Sequence, residues 1–75
     1  MDMADVVIHI NENTAHDQRV ALADKVRAHD GVMSADLHDE KPHLMIVEFN
    51  PEQVHAKDLL QVVLGEGVHA QLVGL

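Results

Sequence analysis

The chain has 75 residues, of which 47% are apolar, and this length allows one small folded domain spanning residues 1–75. Thirteen acidic and five basic side chains give a net charge of −8, which argues against nucleic acid or an anionic membrane as partner, because both are bound mainly through Lys and Arg. The chain contains no cysteine, and this excludes disulfides, thiolate metal ligands and cysteine nucleophiles.

The first predicted element is a strand over Val6–Ile10, where apolar side chains alternate around a histidine. Successive side chains of a strand point to opposite faces of its sheet, so Ile8 and Ile10 would face the core. Val7 and His9 would then lie on the opposite face. The first strand therefore presents an imidazole away from the core.

The second predicted element is a helix from about Ala15 to His29. Thr14 followed by Asp17 resembles a capping box, in which a hydroxyl and a carboxylate satisfy the free amides of the first helical turn. Leu22 and Val26 are four residues apart and would share the apolar face of this helix.

A hairpin follows, with strands predicted over Val32–His38 and His43–Phe49 and a turn-rich segment between them. In the second of these strands alternation separates two sets of side chains. The set predicted to face the core is Met45, Val47 and Phe49. The set predicted to face outward is Leu44, Ile46 and Glu48.

A second helix over Ala56–Leu64 and a last strand over Val68–Val73 complete the chain, with His69, Gln71 and Val73 facing outward. The order strand, helix, strand, strand, helix, strand predicts an α+β fold, the ferredoxin-like βαββαβ sandwich with a four-stranded antiparallel sheet and two helices on one face. Right-handed crossovers place the first strand between the third and fourth, and the second strand at an edge.

Four sequence segments in this order resemble the heavy-metal-associated domain family of copper chaperones and metal-transporter modules. They are Gly31-Val32, "VEFNPEQV" at residues 47–54, "KDLLQVV" at residues 57–63, and Gly67-Val68. The resemblance covers almost the whole chain and implies the same fold as the periodicity does.

The metal motif of that family, Gly-Met-x-Cys-x-x-Cys, has no counterpart in this sequence. Counting back from Gly31 places its first cysteine at Ala15 and its second at Gln18, with Glu12 and Asn13 in the positions of Gly and Met. Soft ions such as Cu(I) need sulfur ligands, so the resemblance does not carry over copper(I) chaperoning through thiolates.

The seven histidines are the one compositional oddity. His9 and His69 would share the outward face of neighbouring strands, where two imidazoles could bind Zn, Ni, Co or Cu(II). His38, on the same face, and His16, near the corner where the family holds its metal, are further candidate ligands. The alternative is that all of these are solvated surface histidines without a metal.

The outward sheet face suggests a second kind of function. Four apolar side chains would lie there uncovered, namely Val7, Leu44, Ile46 and Val73. Such a patch could serve a metal-free module that binds a protein partner or forms a homodimer.

Enzymatic activity is not expected. The sequence has no recognisable pair of nucleophile and base and no glycine-rich phosphate loop. It also has no secretory signal pattern and no apolar run of transmembrane length, so we expect a cytoplasmic location.

Overall fold

The structure is a computed structural model that describes residues 2–73, with four strands and two helices in the predicted order. These elements are β1 (Ala4–Ile10), α1 (His16–Arg27), β2 (Val32–Asp36), β3 (Leu44–Phe49), α2 (Ala56–Leu64) and β4 (Ala70–Val73). The strands form one antiparallel sheet in the order β2-β3-β1-β4. The predicted ferredoxin-like fold and its strand order are confirmed.

The core lies between the inner face of the sheet and the two helices. Ile8 and Ile10 of β1 and Met45 of β3 are fully buried, as their alternation predicted. Leu22 and Leu59 bring the two helices onto them. Full burial of one such side chain contributes about 1.5–3 kcal/mol to folding, so this apolar layer is the main source of stability.

The start of α1 differs from the prediction. Its N-cap is Ala15, which offers no side-chain hydrogen bond, so the predicted capping box of Thr14 and Asp17 is wrong. Thr14 is buried instead, and its carbonyl and hydroxyl oxygens accept hydrogen bonds from the Arg19 guanidinium. The hydroxyl therefore faces a side chain from the next helical turn and is not a helix cap.

Three strands are shorter than predicted, and this moves three histidines off the sheet. β2 ends at Asp36, β3 begins at Leu44 and β4 begins at Ala70. His38, His43 and His69 consequently lie in connections beside the strand ends.

The connection between β2 and β3 includes a turn in which the Lys41 amide donates to the His38 carbonyl at 3.0 Å. That turn takes residues 38–41 out of the sheet. Within residues 2–73 neither helix is long and apolar enough to cross a membrane.

Candidate metal site at the ends of β1 and β4

The register of β1 and β4 decides how the two leading histidines meet. His9 lies directly opposite Gln71, and Ile10 lies opposite Ala70. The Asn11 amide donates to the His69 carbonyl at 2.9 Å, which continues the pairing one step beyond β4. His9 and His69 are therefore diagonal neighbours, with the ~7–8 Å spacing typical of such pairs in antiparallel sheets.

His69 is held by a carboxylate. Its ring Nδ1 lies 2.7 Å from Glu12 Oε2, and its backbone amide donates to Glu12 Oε1 at 2.9 Å. The hydrogen bond from the His69 ring is the main reason that the pKa of Glu12 lies below its usual value. When Nδ1 donates to a carboxylate, the neutral imidazole carries its lone pair on Nε2. Metal-binding histidines usually donate their other ring nitrogen to a carboxylate or carbonyl in this way.

His9 is also engaged through Nδ1. This atom lies 3.1 Å from Asn11 Oδ1 and 3.1 Å from Gln71 Nε2, so it donates to the first or accepts from the second, according to the tautomer. Both hydrogen bonds of the ring within residues 2–73 are at Nδ1, and when Nδ1 donates to Asn11 the lone pair of Nε2 can accept another partner.

A third histidine, His43, lies beside His9, although the sequence did not single it out as a ligand. His9, His43 and His69 are called the His9 group below. Its ring stacks on that of His9 with centroids 5.8 Å apart, and its Nδ1 donates to the Ile10 carbonyl at 2.6 Å. The reciprocal bond from the Ile10 amide to the His43 carbonyl explains the proximity, because it continues the pairing of β1 and β3 beyond Leu44. Alternation would put His43 on the face opposite that of Leu44 and His9, so the sequence gives no signal for this contact.

The corner at the start of α1 has a different chemistry. His16 Nδ1 lies 2.9 Å from Asp39, and Arg19 Nε donates to the same carboxylate at 3.0 Å. These two hydrogen bonds, that of His16 foremost, lower the pKa of Asp39. Arg19 also donates a hydrogen bond to Thr14. A guanidinium therefore lies in the corner where the resemblance to heavy-metal-associated domains would place a soft metal ion. His16 is thus part of an ion-pair cluster with Asp39 and Arg19.

The remaining predicted positions supply no ligand to that corner. Asn13, Ala15 and Gln18 are exposed, and only Asn13 and Gln18 have polar side chains, neither of them a thiolate. His38 is exposed in the connection after β2 and makes no recorded side-chain hydrogen bond within residues 2–73. In that part of the chain no three His, Asp or Glu side chains are arranged to hold a metal ion together.

Comparison with known proteins gives a structural likeness only. No family model matches the sequence, and no curated protein matches it. Among solved structures, the N-terminal domain of a potential copper-translocating P-type ATPase from Bacillus subtilis in the Cu(I)-loaded state superposes with a TM-score of 0.87. It is 20% identical, and the match covers 97% of this chain and 90% of that one.

Two further solved structures have the same fold. Oxidized MerP from Ralstonia metallidurans has a TM-score of 0.85 at 14% identity, covering 95% of this chain and 97% of that chain. The yeast copper transporter domain Ccc2a has a TM-score of 0.81 at 17% identity, with 92% and 93% covered. The chain therefore has the fold of the heavy-metal-associated copper-binding domains, and it has this fold without any cysteine.

Proposed function

We propose that the chain is a metal-handling module that binds a borderline divalent ion, Zn(II), Ni(II), Co(II) or Cu(II), through Nε2 of His69 and His9. The observation that carries the proposal is the 2.7 Å contact between Glu12 and Nδ1 of His69. A carboxylate on one ring nitrogen fixes the tautomer and makes the other nitrogen a better ligand. The fold likeness to copper-binding domains supports a metal role without naming the ion.

The choice of ion follows from the donor atoms. Imidazole nitrogen suits Zn, Ni, Co and Cu(II), whereas Cu(I) prefers sulfur. The net charge of −8 raises the local concentration of cations around the domain. With two protein nitrogens and water in the other positions, we expect weaker binding than at sites with three or four protein ligands.

Isothermal titration calorimetry with the four ions tests the proposal. Replacing both His9 and His69 by alanine should weaken binding of the preferred ion at least tenfold, because no imidazole of the pair remains. The matched control replaces His29 and His55, which lie at the opposite end of the sheet, and should leave the affinity unchanged. Equal losses in the two double variants would show generic binding to surface histidines and would overturn the proposal.

Glu12→Gln probes the same site more finely. Loss of a carboxylate that bonds a ligating histidine typically costs about 10–100-fold in metal affinity, and we expect a loss in this range without a change of fold. Binding should also weaken as the pH falls below about 6, because protons compete for the imidazoles. An affinity that is flat across this pH range would exclude imidazole ligands.

The outer sheet face favours a second candidate function, a module that binds another protein. Leu44 and Ile46 of β3 and Val73 of β4 are 36%, 46% and 44% exposed, and Val7 of β1 lies between Ile46 and Val73. Exposed apolar side chains that lie side by side are typical of interaction surfaces. A charged residue in place of Ile46 should abolish binding of any protein that docks on this face.

A further inference from the structure

The outer sheet face is built of three rows that cross β1 and β3. The acidic row holds Asp5 opposite Glu48, and the apolar row holds Val7 opposite Ile46. The third row, the imidazole row, holds His9 opposite Leu44. β4 extends the last two rows with Val73 and Gln71 respectively. Rows two residues apart along a strand are separated by about 7 Å.

The acidic row is electrostatically unbalanced within the monomer. Asp5 and Glu48 carry like charges directly opposite each other, an arrangement that destabilises a sheet. Glu48 accepts a hydrogen bond from the Ser34 hydroxyl at 2.9 Å, and no Lys or Arg contacts either carboxylate within residues 2–73. No strand contains a Lys or Arg. Within residues 2–73 the row therefore lacks a positively charged partner, and Ser34 is the one side chain that donates a hydrogen bond to it.

The three rows are arranged symmetrically about the apolar one. Along β1 the order is carboxylate, valine, imidazole at Asp5, Val7 and His9, with equal spacing on both sides. A two-fold rotation about an axis along the apolar row places Asp5 over the partner's His9 and Glu48 over the partner's Leu44. The same rotation lays the apolar row on itself, together with Asp36, which lies opposite Ile46 on the edge strand β2 and is paired with Arg27 at 3.7 Å.

We infer that a second copy of the chain docks on this face, with the two-fold axis along the row of Val7 and Ile46. His9 then faces the partner's Asp5, and Ile46 packs against the partner's Ile46. Sheets packed face to face are about 10 Å apart, a gap that an imidazole and a carboxylate can span together. The inference deepens the second candidate function, the interaction module, and does not depend on the metal site.

Two alternatives predict different behaviour. A two-fold axis parallel to the strands would put acidic row on acidic row, which like-charge repulsion disfavours. A foreign partner with a basic surface would bind more weakly as salt rises, because salt screens attraction. Two copies of a chain with net charge −8 repel each other at long range, so their association should strengthen as salt rises.

Sedimentation equilibrium up to millimolar concentration tests the association. The wild type should show a monomer and dimer equilibrium that tightens between low and physiological salt. Ile46→Asp should weaken the dimer at least tenfold. The matched control is Val20→Asp on α1, because Val20 is 45% exposed and Ile46 is 46% exposed. Circular dichroism checks that both variants are folded.

A wild type that stays monomeric at every concentration and salt overturns the inference, as does equal weakening by Ile46→Asp and Val20→Asp. A monomer would leave the metal proposal standing, because the calorimetric titration needs only single chains. It would also leave a foreign partner open to the Ile46 test. Failure of this inference is thus distinguishable from failure of the proposed function.

Paramagnetic broadening tests the orientation. Since the chain has no cysteine, Gln71→Cys gives a single site for a nitroxide label at the imidazole row. Labelled chains are mixed with isotope-labelled wild type, and broadening is read in the wild-type chains. The proposed axis predicts the strongest broadening at Asp5, on the strand beside β4, and weaker broadening at Glu48 one strand further away. Broadening centred on His9 and Leu44 would mean an axis parallel to the strands and would overturn the inference.

Discussion

Arg19 shows how single residues hold the corner at the start of α1. Its side chain is only 13% exposed, and its guanidinium bonds both Thr14 and Asp39. These bonds join the connection after β1 to the connection between β2 and β3. A cation already occupies this corner, so electrostatics favours a metal ion at the His9 group over one beside Arg19.

The pKa of Asp39 gives a prediction at this scale. Hydrogen bonds from His16 and Arg19 lower it from 3.8, so the folded state favours the ionised carboxylate. That stabilisation is fully present above the unfolded pKa and is lost as the pH falls through the lowered, folded one. In Asp39→Asn, we expect the urea midpoint to lie below that of the wild type at pH 7, and the gap to close in acid.

The control for Asp39→Asn is Asp30→Asn. Asp30 is exposed, and its carboxylate makes no recorded hydrogen bond within residues 2–73. Its urea midpoint should follow that of the wild type at both ends of the pH range. A gap for Asp39→Asn that persists unchanged in acid would contradict the role assigned to its ionised form.

At the scale of elements, the turns from each helix into the following strand depend on glycine. Gly31 precedes β2 with φ +91°, and Gly67 lies before β4 with φ +89°. Side chains other than glycine are strained in this left-handed region. A Cβ on Gly31 would also lie 3.0 Å from Gln53 Cβ and from Val54 Cγ1, whereas one on Gly67 would meet nothing within 4 Å.

These two glycines form a matched pair for mutagenesis. Gly67→Ala should cost about 1–2 kcal/mol of unfolding free energy, because it adds backbone strain alone. Gly31→Ala should cost about 2–4 kcal/mol, because crowding against buried Val54 is added. Urea unfolding monitored by circular dichroism measures both. Equal losses would show that the chain around Gln53 relaxes without cost.

The strands were predictable because alternation fixes which side chains are buried. Ile8 and Ile10 could only face the core, and this sets His9 outward. Alternation does not fix register, since a shift of two residues keeps every side chain on the same face. The sequence therefore predicted neighbouring strands but not that His9 lies opposite Gln71.

Long-range side-chain contacts were less predictable than the elements. Glu12 and His69 are 57 residues apart, and their hydrogen bond depends on how two connections meet at one end of the sheet. Arg19 is likewise bound to Asp39 across 20 residues. It also donates to the Thr14 hydroxyl, which was predicted to cap α1. Local spacing contains no signal for such pairs, because each is set by the tertiary fold.

At the scale of the whole molecule, the excess of negative charge opposes folding as well as association. Thirteen carboxylates share a domain of 8.3 kDa with five Lys and Arg side chains. Within residues 2–73 two of these cations are paired, Arg19 with Asp39 and Arg27 with Asp24 and Asp36. The compact state holds the remaining like charges closer together than the unfolded chain does, which lowers stability.

Salt should therefore raise the thermal stability of the monomer, because it screens this repulsion. In a domain of this size, 1 kcal/mol corresponds to a shift of roughly 4–8 °C in Tm. Glu66→Lys, in the exposed connection after α2, brings the net charge two units nearer to zero and should reduce the response to salt. Lys41→Gln, also exposed, takes it one unit further away and should increase the response. Differential scanning calorimetry measures Tm, and micromolar concentration keeps the proposed dimer from contributing. Identical responses to salt in both variants would mean that local ion pairs, and not net charge, set the salt dependence.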